Sequence, residues 1–289
     1  MSAIPEDHRP HETPEVVDAI SFLPPQTLLA ASLGFALLLI LAFIVLGRKK
    51  SKARGNALLL VGPMDSGKTA IFSKLAYAQT LPTHTSLQAN ASDISLTPSK
   101  TIRIIDIPGH PRIRNQFTDH LSSAKAIAFV VDSNSVSRNG PAVAEHLHHI
   151  LHALTSLPPS QTPPLLTILC NKSDLLKTST TSGPAASLAT NRVKTILERE
   201  LEKRRVAQSA SVGVEGLGEE NSEQTGELGG LECGADGNAT FRFEDWEGGE
   251  VVFLGTSVRP ESEKASEVSE KNEPDAGLIA LENWLEDNM

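Results

Sequence analysis

The sequence predicts an α/β fold: a mostly parallel six-stranded sheet with helices on both faces, preceded by a single transmembrane helix. Three observations predict it. From Asn56 onward, short aliphatic runs alternate with longer helical stretches, the pattern of repeated strand–helix units. Over residues 57–78 a strand, a G-x-x-x-x-G-K-T turn and a helix follow one another, so the glycine-rich turn sits in the frame that gives it meaning. An uninterrupted apolar run fills residues 27–46, with no charged side chain between Asp18 and Arg48.

Composition narrows the function classes. The chain has 289 residues and a net charge of −9, which argues against a general nucleic-acid surface. Cys170 and Cys233 are its only cysteines; they give no disulfide framework and suit a reducing compartment.

Taken in order, residues 1–26 are rich in Pro, His and acidic residues and are expected to be a disordered tail. His8 and His11 in that tail read as ordinary exposed histidines. The apolar run is long enough for the ~20 residues that cross a bilayer, too long for a signal-peptide core and preceded by acidic rather than basic residues. We assign the span to 27–47. Residues 48–55 carry Arg48, Lys49, Lys50, Lys52 and Arg54. The positive-inside rule then places everything after the span in the cytosol and the tail on the lumenal side. The basic run also suits contact with anionic lipid. The sequons at Asn90 and Asn238 fall on the cytosolic side, so no glycan is expected.

Residues 56–289 form the α/β domain. Strands are expected near 57–61, 92–97, 101–106, 126–131, 165–170 and 250–254. The second and third form a hairpin around Pro98-Ser99-Lys100, so one pair is antiparallel. Helices are expected near 67–78, 111–123, 141–155, 187–205 and 275–287. Residues 177–187 and 259–275 read as polar loops. Residues 206–240 are rich in Gly, Ser and Glu, with no Lys or Arg between Arg205 and Arg242. They are expected to be a disordered acidic insertion; the alternative is that they hold a small ordered element.

Four motifs carry the chemistry. In the first, Gly62 and Gly67 let the backbone turn so that amides of the loop, including those of Asp65 and Ser66, point at a phosphate. The following helix adds its N-terminal dipole. Lys68 is placed to bridge two phosphates, and the Thr69 hydroxyl to ligate Mg²⁺. The second motif is Asp106-Ile107-Pro108-Gly109-His110. Asp106 can hold Mg²⁺, usually through water, and the Gly109 amide can meet a terminal phosphate. The third is Asn171-Lys172-Ser173-Asp174. The Asp174 carboxylate can accept from the N1–H and exocyclic amine of guanine, which adenine does not offer in that arrangement. The Lys172 stem can lie across the ring, and Asn171 can brace the loops. The fourth, Gly255-Thr256-Ser257-Val258, follows the last strand; a backbone contact to the guanine oxygen is expected near Ser257. The ligands implied are GTP and Mg²⁺.

Residues 82–87, Pro-Thr-His-Thr-Ser-Leu, are expected to be a mobile switch loop. Of its threonines, Thr85 is chosen as the Mg²⁺ ligand, with Thr83 as the alternative. His110 stands where a glutamine often orients the attacking water, which points to slow intrinsic hydrolysis. His146, His148, His149 and His152 cluster on one helix. His148 and His152 share an i, i+4 face, but no acidic or cysteine partners complete a zinc set, so a solvated face is expected.

With these residues in place, the chain resembles the β-subunits of the signal recognition particle receptor, a family of membrane-anchored, Arf-related small GTPases. The resemblance rests on the span, the basic run, Gly62–Thr69, Thr85-Ser86, Asp106–His110 and Asn171–Asp174. Two further stretches look like the family: Ala126–Ser133, and the last helix around Leu281-Glu282-Asn283-Trp284-Leu285. Arf-type proteins instead carry an N-terminal amphipathic, often myristoylated helix, and Met1-Ser2 lacks the glycine for it. The chain departs from the family in lacking a lysine in the Thr256-Ser257-Val258 loop and in its long acidic insertion.

The resemblance implies a P-loop GTPase domain on a single-pass protein of the endoplasmic reticulum membrane. It implies a GTP-bound form that holds the N-terminal domain of the receptor α-subunit through the switch loops near Thr85 and 107–116. Contact with the ribosome and translocation channel would be indirect, and no direct nucleic acid binding is expected. The competing readings are an Arf-like GTPase that cycles to recruit a coat or tether, and a nucleotide-free scaffold. His110 leans against the first, and intact Lys68, Thr69, Asp106 and Asp174 against the second.

Overall fold

Successive residues of the first strand, β1 (Ala57–Val61), face opposite sides, and both sides are covered. Leu58 and Leu60 pack with Ile71, Phe72 and Leu281, while Leu59 and Val61 pack with Phe129, Leu147 and Val193. A strand buried on both faces must be apolar throughout, as parallel strands flanked by helices are. This is why four successive leucine and valine residues at 58–61 make a strand rather than an amphipathic element.

The computed structural model describes residues 55–80, 83–98, 100–176, 184–212, 229–233, 240–258 and 277–289, together with Phe35 and Ala36, which are helical. The expected tail, the span at 27–47 apart from Phe35 and Ala36, and nearly all of the basic linker lie outside the described residues. Among the described residues no helix is long and apolar enough to cross a membrane.

The remaining strands are β2 (Asn90–Thr97), β3 (Lys100–Asp106), β4 (Ala124–Asp132), β5 (Leu165–Asn171) and β6 (Val251–Gly255). They form a six-stranded sheet in the order β2-β3-β1-β4-β5-β6. The β2–β3 pair is the expected antiparallel hairpin, and every other neighbouring pair is parallel. Helices α1 (Lys68–Tyr77) and α5 (Ile279–Asn288) cover one face. Helices α2 (Phe117–Leu121), α3 (Val136–Thr155) and α4 (Ala185–Val212) cover the other.

Several boundaries differ from the sequence reading, each for a local reason. The helix expected over 111–123 is a 3₁₀ turn at Arg114–Gln116 followed by the short α2. The His110 carbonyl accepts from both Ile113 and Arg114 amides, which tightens the chain there. Helix α3 starts five residues before Pro141, the expected first residue. One oxygen of Asp132 accepts from the Asn134 and Ser135 amides and starts the turn early, leaving the proline in the second turn.

Helix α4 runs through 206–212, into the stretch expected to be disordered. Beyond it, Leu231 and Cys233 are buried in the core with Phe241, Phe243 and Trp246. The Trp246 indole N–H donates to the Gly230 carbonyl at 2.9 Å, and Cys233 bridges Trp246 in antiparallel register. An ordered element therefore lies within 206–240; residues 213–228 and 234–239 lie outside the described residues.

The expected solvated histidine face is corrected. His146 and His148 are each 1% exposed, because α3 packs against both β4 and the neighbouring helix α4 on the same sheet face. Among the described residues, no group of three or more His, Cys, Asp or Glu side chains could hold a metal. The His146 ring meets Phe129 edge-on at 5.5 Å between centroids.

Burial, helped by the Arg114 and Lys68 cations, pushes His146 down to about 3. Between the ordinary imidazole value, about 6.5, and that value, the unfolded chain binds a proton that the folded chain refuses. Stability therefore falls as pH drops, by up to about 1.4 kcal/mol per unit from this group. Denaturant unfolding of wild type and His146→Leu between pH 7 and 5 checks this. The variant should show the shallower pH dependence, and equal slopes would contradict the burial argument.

Candidate functional site

Five strands run parallel, so the loops that follow them leave the sheet at one edge, where ligands of open α/β sheets bind. The register aligns those ends. Leu60 pairs with Asp106, Asp132 with Asn171, and Cys170 with Gly255. The loop at 62–67 is thereby set between Asp106 and Asn171–Asp174.

In that loop Gly67 has φ +93° and Asp65 φ +60°, a left-handed backbone that turns the chain into α1. A Cβ on Gly67 would lie 2.2 Å from the Asn171 side-chain nitrogen, so only glycine fits. No side chain caps the start of α1, and its first amides are the donors a phosphate would take. The Lys68 ammonium is folded back onto the loop, donating to the Gly62 carbonyl at 2.9 Å and the Pro63 carbonyl at 2.8 Å. The hydroxyl of Ser66 donates to the Pro63 carbonyl at 2.9 Å.

Asp106 is fully buried. Its Oδ2 accepts from the Thr69 hydroxyl at 2.7 Å, while Oδ1 has no hydrogen-bond partner among the described residues. Burial pushes the Asp106 carboxyl up, and the Thr69 bond and the Lys68 charge oppose it. The Thr69 hydroxyl also lies 3.1 Å from the Ser86 hydroxyl. Two hydroxyls and an orphaned carboxylate oxygen are hard donors of the kind Mg²⁺ takes, so the residues present fit that ion.

Ser86, rather than Thr85, is the residue of the 83–87 loop whose hydroxyl meets Thr69. Thr83 and Thr85 line the same cavity, of about 280 Å³, together with Gly67, Lys68 and Gly109. In the sequence Ser86 stands only as the second member of the Thr85-Ser86 pair; its hydroxyl one residue after Thr85 is the signal that points to it.

Gly109 is pressed against the first loop. A Cβ there would lie 2.6 Å from the Gly62 carbonyl oxygen and 2.7 Å from the Lys68 ammonium. Gly109 thus sits directly against the 62–68 loop. The His110 ring accepts from the Arg112 amide at 3.2 Å, tying it to its own loop.

On the other flank, Asn171 donates from Nδ2 to the Ser66 carbonyl at 2.8 Å and accepts at Oδ1 from the Thr256 hydroxyl at 3.3 Å. It braces the loops as its place in the motif suggested. Lys172 adopts φ +57°, with its ammonium 3.1 Å from Asp132 and 3.6 Å from Asp65. Asp174 is half-buried in the 3₁₀ turn that follows. Ser257 departs from expectation: its amide donates to the Gly277 carbonyl at 2.9 Å. That bond ties the start of the α5 segment to the sheet, and the backbone contact expected for a base is committed elsewhere.

The fold is that of the P-loop GTPases. A family profile described as "Signal recognition particle receptor beta subunit" matches residues 53–248. The signal recognition particle receptor subunit beta of Rattus norvegicus is 35% identical over 192 residues, covering 65% of this chain and 66% of the relative, just under two thirds of its length. The solved mammalian signal recognition particle receptor is 28% identical, with a TM-score of 0.59 over 81% of this chain and all of that one. The SRb–GTP/SRX complex from Chaetomium thermophilum shares the fold at 20% identity and a TM-score of 0.51, over 82% of this chain and 100% of that chain. The chain belongs to the signal recognition particle receptor beta subunit family.

Burial pulls Lys68 down to about 8, against the pull of Asp106 and Asp65. Phosphates would restore its charge, so binding takes up a proton once pH exceeds that value. Nucleotide affinity should hold below pH 8 and fall above it, by up to tenfold per unit. Lys68→Ala should lose about 10- to 100-fold in affinity, the scale of hydrogen bonds to charged groups. Equilibrium titration checks both, and unchanged affinity in the variant would remove Lys68 from the site.

Proposed function

We propose that this chain is a GTP-binding receptor subunit that holds the receptor α-subunit at the endoplasmic reticulum membrane for co-translational protein targeting. The observation that carries the reading is the side chain of Asn171, which joins the phosphate loop to the Lys172–Asp174 loop. A nucleotide with phosphates in the first and guanine at the second spans one continuous edge.

In this reading the amides of residues 62–69 and Lys68 hold the phosphates, and Asp174 accepts from N1–H and the amine of guanine. Thr69, Asp106 and a switch-loop hydroxyl, from Ser86 or Thr85, hold Mg²⁺, which when bound neutralises phosphate charge. Relatives support the assignments: one solved neighbour is a complex of SRb–GTP with SRX, and another is the mammalian receptor. The α-subunit's N-terminal domain would meet the switch loops at 83–87 and 107–116, and ribosome and translocation channel would be reached only through that partner. The span at 27–47 would anchor the chain, with the nucleotide domain in the cytosol.

Hydrolysis is slow in this reading. His110 replaces the usual water-orienting glutamine, and its ring nitrogen is engaged with the Arg112 amide. GTP then acts chiefly as a condition for holding the partner, and cycling is secondary.

Loading the full chain with labelled GTP and following a single turnover tests this. GTP should stay bound and intact for many minutes without partner. Fast unaided hydrolysis would favour a cycling enzyme, and absence of guanine-nucleotide binding would remove the proposal. Asp174→Asn should weaken GTP and favour xanthosine triphosphate, since the altered group donates where it accepted. An unchanged preference would contradict the base assignment.

A further inference from the structure

The ammonium of Lys172 has two carboxylate neighbours, and they are unequal. Asp65 is 3.6 Å away with its side chain 96% exposed, whereas Asp132 is 3.1 Å away with its side chain 14% exposed. Exposed pairs are screened and contribute little, so the Asp132 contact decides where the ammonium sits.

Asp132 is itself held. It ends β4 directly opposite Asn171, and its Oδ1 accepts from the amides of Asn134 at 2.8 Å and Ser135 at 3.1 Å. That leaves Oδ2 for Lys172. Burial pushes this carboxyl up, but the Lys172 and amide bonds together hold it below the usual range, so it is ionised at neutral pH. The backbone end of Lys172 is fixed too. Its carbonyl accepts from the Leu175 amide, and the Ser173 amide donates to Thr256. Only the methylene stem remains, stretched between two anchored ends.

We infer that Asp132 is a positioning residue for the base-binding lysine: it pins the Lys172 ammonium so that the stem is preset as a flat support for a purine face, and so slows nucleotide release. The inference rests on the guanine-nucleotide reading above. A side chain ordered before binding loses less entropy on binding, and the gain appears in the off-rate. The support is for a ring face, not an edge, so it is indifferent to the exocyclic amine that Asp174 reads.

The test measures release of labelled GDP and IDP from the full chain, as wild type, Asp132→Asn, Lys172→Met and the double variant. Asparagine keeps an acceptor for the Asn134 and Ser135 amides and removes the charge. Asp132→Asn should speed release about tenfold, the equivalent of about 1.4 kcal/mol, with the GDP-to-IDP ratio unchanged. In the Lys172→Met background the same substitution should change release less than about twofold, because coupled residues are not additive. Asp132→Ser, whose hydroxyl can also accept from a backbone amide two residues on, should behave like Asp132→Asn. Equal acceleration with and without Lys172 would overturn the inference and make Asp132 a helix-start residue only; so would no acceleration at all. If wild type itself holds no GDP, the guanine-nucleotide reading fails, and this inference falls with it; retention by wild type with an unaffected Asp132→Asn removes the inference alone.

Discussion

Four loops meet on the single buried side chain and backbone of Asn171. Its Nδ2 fixes the Ser66 carbonyl, its Oδ1 takes the Thr256 hydroxyl, and its own carbonyl accepts from the Ser133 amide at 2.9 Å. A buried amide satisfied at both ends gives little net stability, but leaving either end unpaired costs about 1–3 kcal/mol. That asymmetry locks the loops following β1, β4, β5 and β6 into one arrangement. It also dictates sequence: any side chain at residue 67 would collide with the Asn171 amide. Gly67 is therefore required twice, by the left-handed turn into α1 and by the Asn171 brace.

The same edge holds charges that the core does not neutralise well. Lys68 is 6% exposed and makes its hydrogen bonds to backbone carbonyls; Asp106 is wholly buried and makes one to Thr69. Burial opposes ionisation of each. Groups of this kind are costly in a dry interior unless paired. A phosphate beside Lys68 and a divalent cation beside Asp106 would relieve both at once. Local conflict of this kind concentrates where a chain binds something. The alternating strand faces around it carry no such conflict, and they supply the rigid frame.

Much of this was legible in the sequence because spacing encodes it. A motif after each of three parallel strands puts Lys68, Asp106 and Asn171–Asp174 on one edge whatever the details of the helices. What the sequence could not show depends on contacts distant along the chain. The capture of the Ser257 amide by Gly277 joins segments separated by residues of low complexity. The burial of His146 and His148 follows from α4 packing beside α3 on the same sheet face, which no periodicity within α3 reveals. Leu231, Cys233, Phe241, Phe243 and Trp246 are few apolar residues in a polar, glycine-rich stretch, so composition hides the ordered element they build. Asp132 was visible as the end of a strand, but its role needs the parallel neighbour that brings Lys172 beside it.

In the proposed reading this edge is one preassembled guanine-nucleotide site. The most direct measurement is thermal unfolding of the full chain with Mg²⁺ and a matched excess of GDP, GTP or ATP. A ligand that binds only the folded chain at about 100 times its dissociation constant stabilises it by about 2.7 kcal/mol. GDP and GTP should raise the midpoint by several degrees and ATP should leave it unchanged. Equal shifts with ATP, or no shift with any of the three, would contradict the claim.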